Sequence, residues 1–117
     1  MELNKEVLIG KKIHIKELEQ IIIEEPKIID NILSKDRITI EIYKIIPLTV
    51  LTSLDYGKPN GISKIDIFYK IIEEIKDTFR RLDPYNEKGI WGIFLDDLYI
   101  NHIIFYRNLG KISVSIS

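Results

Sequence analysis

The sequence predicts an α+β fold in which a mostly antiparallel sheet carries one long helix on a face. Three patterns support this class. Residues 63–82 have the periodicity of an amphipathic helix, whereas residues 98–106 and 111–117 have the composition and alternation of strands. Two shorter helices are predicted near the N-terminus, against the same sheet or its edge. All 117 residues are assigned to a single compact domain, residues 1–117.

The stretch from Ser63 to Leu82 is the clearest helix. Ser63 has the side chain of an N-cap, and Asp66 stands three residues later, as in a capping box. Asp83 followed by Pro84 ends the helix. The apolar side chains recur at the spacing of one helical face, and the charged ones lie on the other. This apolar row consists of Phe68, Ile71, Ile72, Ile75, Phe79 and Leu82.

The N-terminal quarter of the chain predicts a short hairpin and two short helices. A strand over Glu6–Ile9 is expected to pair with Ile13–Ile15 through a turn at Gly10. Helical spacing then covers Lys16–Glu24. A second helix begins at Pro26, because the missing N–H of proline is harmless at a helix start.

The rest of the chain predicts strands. The last two form a hairpin, because Gly110 offers the positive φ that the connecting turn needs. In the final strand, isoleucine and valine alternate with Ser113, Ser115 and Ser117, so one side is apolar and the other is hydroxylated. The predicted strands are 37–46, 48–54, 90–95, 98–106 and 111–117.

Composition excludes several classes of function. The formal net charge of −1 argues against a nucleic-acid partner, since such proteins are usually clearly basic. The absence of cysteine excludes disulfide scaffolds and thiolate chemistry. No apolar run approaches the length of a membrane span. We therefore expect a cytoplasmic protein with no membrane partner, no cofactor and no metal.

Few residues in the sequence suggest chemistry. His14 and His102 have no partner at the spacing of metal ligands. Asp96 and Asp97 are adjacent and are interpreted as turn residues, because Asp side chains bind local backbone N–H groups. The loop at residues 57–61 precedes a helix N-terminus, where phosphates bind, but it lacks the nucleotide-binding pattern and is interpreted as a helix-entry loop.

The strand at residues 98–106 is apolar on both faces. One face has to align with the apolar side of the last strand, and the other then lies beside the serines. The outer row is either Tyr99, Ile103 and Phe105 or Leu98, Ile100 and Ile104. We predict the first, together with Asn101, because Tyr99 and Asn101 suit a surface that is covered only intermittently. With Asp96 and Asp97 at its rim, this row is the predicted partner-binding surface or a homodimer contact. The alternative is that the N-terminal helices cover it.

These observations predict a small, non-catalytic protein-binding module. The most specific prediction is an immunity-type protein that neutralises a bacterial toxin by direct binding. Two alternatives stay open. One is a small metal-dependent hydrolase that uses Asp96, Asp97 and His102, and the other is a small-ligand-binding domain with its pocket between helix and sheet.

Overall fold

The computed structural model describes residues 4–24, 32–45, 49–90 and 92–117. In these residues a six-stranded sheet and two helices share one apolar core, and a separate pair of short strands completes the structure. The α+β class is therefore confirmed. The elements in chain order are β1 Lys5–Ile9, β2 Ile13–His14, α1 Ile15–Glu24, β3 Ile32–Ser34, β4 Ile38–Lys44, β5 Thr49–Tyr56, β6 Ile62–Ser63, α2 Lys64–Leu82, β7 Tyr99–Tyr106 and β8 Lys111–Ile116.

The strand order of the main sheet is β1-β7-β8-β4-β5, and β2 pairs with β7 beyond the end of β1. The pair formed by β4 and β8 is parallel. The other pairs of the sheet are antiparallel, including the predicted hairpin of β7 and β8. The sheet is thus mixed, because β8 turns back from β7 into the centre and lies alongside a strand formed much earlier in the chain.

The core lies between the helices and one face of this sheet. The parallel register aligns Ile40 with Ile112 and Ile42 with Val114, so the apolar rows of β4 and β8 lie side by side. Helix α2 covers these rows with six buried apolar side chains, among them Phe68. Each large apolar side chain that is fully buried contributes about 1.5–3 kcal/mol. The buried apolar residues of α2 are Ile67, Phe68, Ile71, Ile72, Ile75 and Phe79.

The start of α2 has the predicted capping box. The Asp66 N–H donates to Ser63 Oγ at 3.1 Å, and the Ser63 N–H donates to Asp66 Oδ2 at 2.8 Å. Desolvation raises the pKa of Asp66, but hydrogen bonds from Lys58 and Ser63 outweigh it and leave the pKa below its ordinary value. The ionised carboxylate therefore faces the positive end of the helix dipole. The predicted long helix is confirmed.

The N-terminal prediction of two short helices is wrong. The first is α1, Ile15–Glu24, which agrees with the prediction. The second was placed from Pro26 onward, and residues 25–31 lie outside the described part of the chain. Where the description resumes, Ile32–Ser34 form strand β3 and pair with β6. Isoleucine-rich runs satisfy helical spacing by chance, whereas their β-branched side chains favour strands.

Two strand predictions also need correction. β1 and β2 do not pair with each other; both pair with β7, whose eight residues are long enough to hold them end to end. Residues 90–95 do not form a strand in the described part. Ile90 and Ile93 make an isolated bridge, and Leu95–Asp97 form a short 3-10 helix.

A register shift in β7 decides which side chains face the core. Ile100 lies opposite Ile116 in β8, and Ile103 lies opposite Val114 three positions further along β7. Ser115 is the one β8 residue between those partners, whereas β7 has two residues there, Asn101 and His102. This inserted residue reverses the alternation of the strand, as a β-bulge does. Leu98 and Ile100 before the bulge and Ile103 and Phe105 after it therefore all lie in the core.

The predicted outer row is therefore wrong in two of its three members. Ile103 and Phe105 are 0% and 3% exposed and belong to the core, whereas Tyr99 is 40% exposed. The two buried residues share that core with Ile15 and Leu18 of the N-terminal helix α1 and with the buried side chains of α2. Strict period-two alternation cannot anticipate a bulge, and it therefore assigned the residues after Asn101 to the wrong face.

The first test concerns the core face of α2. Ile75→Ala removes a side chain that is 1% exposed, and we expect it to lower the free energy of unfolding by about 2–5 kcal/mol. The matched control is Ile23→Ala in α1, whose side chain is 75% exposed and whose loss changes stability by about 0.5 kcal/mol or less. Urea denaturation measures both. Similar midpoints for the two variants would contradict this core.

The second test concerns the bulge. Phe105→Ala empties a core site and is expected to destabilise the protein by about 3–5 kcal/mol. Tyr99 lies at the other end of β7. Tyr99→Ala removes an exposed ring and is expected to lower the free energy of unfolding by less than about 1.5 kcal/mol. Thermal and urea unfolding compare the two variants. A small loss of stability for Phe105→Ala would indicate that this side chain lies on the outer face. That result would contradict the bulged register.

Candidate functional site

The sheet face opposite the helices is the candidate site. We call it the open face, because both described helices bury their apolar residues against the other side of the sheet. Val7 and Val50 at its two margins are 50% and 56% exposed. Strand pairing assigns the following residues to it: Lys5, Val7, His14, Thr39, Glu41, Tyr43, Val50, Ser53, Asp55, Tyr99, Asn101, His102, Ile104, Tyr106, Lys111, Ser113 and Ser115.

The bulge places two polar residues side by side at the centre of the open face. His102 Nε2 lies 3.1 Å from the hydroxyl oxygen of Tyr43 on β4. The Asn101 amide donates to Ser115 Oγ at 3.3 Å and accepts from Ser117 Oγ at 3.1 Å. Within the described ranges, no buried side-chain nitrogen or oxygen lacks a hydrogen-bond partner. The polar centre is therefore held in one arrangement before any partner arrives.

Three of the four charged side chains on the open face have a close polar partner, and the fourth, Lys5 on the edge strand β1, forms no ion pair among the described residues. Lys111 Nζ lies 3.3 Å from a carboxylate oxygen of Glu41, and the Thr39 hydroxyl donates to Asp55 at 3.0 Å. What remains at the centre is phenol, imidazole, amide and hydroxyl groups. This composition is that of antibody-like binding surfaces, in which tyrosine supplies rigid contact area and serine and asparagine supply adaptable hydrogen bonds.

The surroundings of His102 favour the neutral form of its imidazole. Partial burial lowers its pKa, and the nearby positive charge of Lys5 lowers it further. A neutral imidazole costs less to desolvate under a partner than a charged one does. The imidazole of His102 is thus mainly neutral at neutral pH, close to the positive charge of Lys5.

The predicted residues Asp96, Asp97 and Tyr99 lie at one end of the open face. Asp96 and Asp97 are exposed in the short 3-10 helix that leads into β7. The ring of Tyr99 makes an edge contact with His14 at 5.2 Å between centroids, and Lys12 Nζ lies 5.0 Å from the centre of the same ring. Tyr99 and Asn101 therefore share a face with the polar centre, whereas Ile103 and Phe105 do not.

His14 has a structural role at this end. Its Nδ1 accepts from the Lys16 N–H at 3.1 Å, so Nε2 carries the proton in the neutral ring and donates to the Asp96 carbonyl oxygen at 2.7 Å. The imidazole thus links the start of α1 to the turn before β7. Both ring nitrogens are engaged, which leaves the neutral ring no lone pair for a metal.

The structure does not bring together the residues of the hydrolase alternative. The ligand atoms of Asp96, Asp97 and His102 do not gather within 4.8 Å of one another. In the described residues, the acidic group that does so is on α2, where Lys70 forms ion pairs with two of its members. That group is Glu73, Glu74 and Asp77.

A cleft of about 680 Å³ lies between β1 and α1. Its walls are apolar, and charged and amide side chains stand at its rim. Its position between helix and sheet corresponds to the pocket of the ligand-binding alternative, which stays a prediction. The lining residues are Leu8, Ile9, Gly10, Lys11, Ile13, Glu17, Gln20, Ile21 and Glu24.

Comparisons with protein-family models, with curated proteins and with solved structures give no match. Neither described helix has both the length and the hydropathy that crossing a membrane requires.

Sequence reasoning did not choose Tyr43, His102, Ile104 or Tyr106 as partner-binding residues. His102 was predicted only for the hydrolase alternative, and Ile104 only in the less favoured outer row. A signal existed for Tyr43, because its strand alternates cleanly and places it on the side away from the isoleucines. No such signal existed for the three residues of β7. Their face depends on the bulge, which is defined only by pairing with β8.

The third test concerns His102. Because folding lowers its pKa below the ordinary value of about 6.5, the folded state disfavours protonation. The associated stability is complete above that pH and is lost as pH falls through the folded pKa. We expect the free energy of unfolding to fall between pH 7.5 and pH 5, and to fall less in His102→Gln. Urea denaturation at each pH measures this.

Two features make the range from pH 7.5 to pH 5 report on His102 and not on other titrating groups. The carboxyl groups of Asp66 and Asp83 have lowered pKa values, so their stabilisation is lost only below about pH 4. His14→Gln is the control variant, since it retains His102 and is expected to retain the His102 contribution to the pH dependence. An unchanged slope in His102→Gln would contradict a lowered pKa.

Proposed function

We propose that this chain is a non-catalytic protein-binding module whose partner docks on the open face. The observation that carries the proposal is the Tyr43–His102 pair at the centre of a sheet face that no described helix covers. A solvent-facing sheet surface needs only short polar or charged side chains. Here it has aromatic rings, an ordered hydrogen-bond network and balanced charge instead.

The dimensions of the open face suit a protein partner. Five strands spaced about 4.8 Å apart, with about seven residues of about 3.3 Å each, span roughly 24 Å by 23 Å. A specific interface buries about 800 Å² of accessible surface per partner. The accessible surface area of protruding side chains is larger than the flat area of the sheet beneath them. The open face and its rim therefore supply about the area that such an interface buries.

Binding energy is expected to concentrate on the aromatic residues. Tyr43 and Tyr106 are half-buried, so their rings lose little conformational freedom when a partner covers them. Interfaces of this kind obtain most of their affinity from a few tyrosine, tryptophan or arginine side chains. Tyr99 and Asn101 extend the same surface, and Asp96 and Asp97 lie at its end.

Within this class we propose an immunity-type protein that neutralises a bacterial toxin by covering it. Direct coverage needs a preformed surface, and the hydrogen bonds that order the open face support this proposal. The near-neutral total charge and the lack of cysteine suit a cytoplasmic partner protein and do not suit nucleic acid. Homodimerisation through the same face is the other outcome that a binding experiment can reveal.

The fourth test measures toxin binding. The binding partner to test is a toxin domain from an adjacent gene, where the genome encodes one. Tyr106→Ala is expected to weaken that complex by tenfold or more, in line with the truncation of an aromatic anchor. Tyr85→Ala is the matched control, because Tyr85 is 81% exposed in the loop after α2. We expect the control to change the Kd by less than twofold. Isothermal titration calorimetry gives the Kd.

Growth of cells that express the toxin gives a second readout. Co-expression of the wild-type chain or of Tyr85→Ala is expected to restore growth, and Tyr106→Ala is expected to restore it less. Full rescue and an unchanged Kd for Tyr106→Ala combined with Tyr43→Ala would contradict docking on the open face. Failure of the wild-type chain to bind or rescue would contradict the immunity proposal.

A further inference from the structure

A small pocket lies where the turn between β3 and β4 meets the loop after β5. Its volume is about 280 Å³, and it is lined by Lys35, Arg37, Gly57, Lys58 and Pro59. Three of these five residues are cations, and none is acidic. Such a concentration of one sign of charge is notable in a chain whose formal net charge is −1.

The two segments that form the pocket are held by local hydrogen bonds. Ser34 Oγ accepts from the Asp36 N–H and donates to the Asp36 carbonyl oxygen, both at 3.2 Å, which fixes the turn that carries Lys35. The Gly61 N–H donates to the Lys58 carbonyl oxygen at 3.1 Å and closes the second turn. The cations are thus presented by ordered turns.

Arg37 is held against the backbone of Gly57. A Cβ at position 57 would lie 2.7 Å from Arg37 Cγ and 3.1 Å from its Nη1, closer than side chains tolerate. Gly57 is not among the glycines with positive φ, so its lack of a side chain provides space here and does not relieve backbone strain. The stem of Arg37 therefore lies flat on the loop, and its guanidinium is positioned in advance.

The charges in the pocket are only partly compensated. Lys58 Nζ lies 2.8 Å from Asp66 Oδ1, which occupies one of its three N–H donors. Across the described ranges, neither Lys35 nor Arg37 forms an ion pair. Gathering uncompensated cations costs repulsion, which a bound anion would relieve.

We propose that this pocket binds the phosphate group of a small phosphorylated ligand. The planar guanidinium of Arg37 matches two phosphate oxygens, and the two ammonium groups are point charges for the remaining oxygens. A carboxylate has only two oxygens and one charge, so it uses fewer of these donors. This site is independent of the open face and of the proposed toxin binding.

The experiment is a titration of the full chain followed by ¹H–¹⁵N NMR. Inorganic phosphate, a phosphate monoester such as glycerol phosphate, and acetate are added separately at constant ionic strength, with sodium chloride as the reference. We expect saturable shifts at the amides of residues 34–37 and 57–61 with both phosphates, and weaker binding with acetate. The affinity is expected to fall as sodium chloride is raised, because exposed charges are screened.

Variants distinguish phosphate binding at this pocket from nonspecific attraction of anions to exposed cationic side chains. Arg37→Gln is expected to weaken phosphate binding by about tenfold, the loss of one charge-assisted contact. Gly57→Ala is expected to weaken it as well by displacing Arg37. Arg81→Gln is the matched control, since Arg81 is exposed at the end of α2, and it is expected to leave the Kd unchanged.

Three results would overturn the proposal. These are shifts that chloride reproduces, equal phosphate affinity in Arg37→Gln and the wild-type chain, and acetate binding as tight as phosphate binding. The spectrum of each variant shows whether it is folded. If Gly57→Ala is unfolded, Arg37→Gln and Lys35→Gln decide the result. Phosphate binding that depends on these residues supports the proposal, whether or not a toxin binds the open face.

Discussion

The β-bulge at Asn101 and His102 is the constraint on which the rest of the structure depends. It lets one strand contribute apolar residues to the core on both sides of the bulge, and it places two polar residues next to each other on the opposite face. Without the inserted residue, half of the apolar side chains of β7 would face solvent. The extra residue therefore creates both the complete core and the polar centre of the open face.

The two faces of the sheet are built for different purposes. The core face is almost purely aliphatic, and the capped helix α2 covers it. The open face gains its order from hydrogen bonds instead, through Tyr43 with His102 and through Asn101 with Ser115 and Ser117. Serine side chains are short, so the surrounding tyrosine, histidine and asparagine side chains shield them. A surface of this kind is ordered without being apolar, which suits a module that is stable alone and binds through the same residues.

The pocket lined by Lys35, Arg37, Gly57, Lys58 and Pro59, here called the cationic pocket, arises in a different way from the open face. Its residues lie in turns that hydrogen bonds of Ser34 and of Gly61 hold locally. What brings the turns together is the pairing of β4 with β5, which places Ile38 opposite Tyr56 and so brings Arg37 next to Gly57. The glycine at position 57 is explained by this contact, and its role is invisible from the loop sequence alone.

Local sequence determined α2, its capping box and the β7–β8 hairpin, because each depends on residues close together in the chain and on simple periodicity. It also placed the serines of β8 on the face away from the core. Tertiary structure alone decided the bulge, the parallel pairing of β4 with β8 and the strand at Ile32–Ser34, because each is defined by backbone pairing with a distant segment. Isoleucine is abundant in both predicted helices and predicted strands, so its pattern cannot choose between them. The open face and the cationic pocket therefore became visible only once the strands were paired.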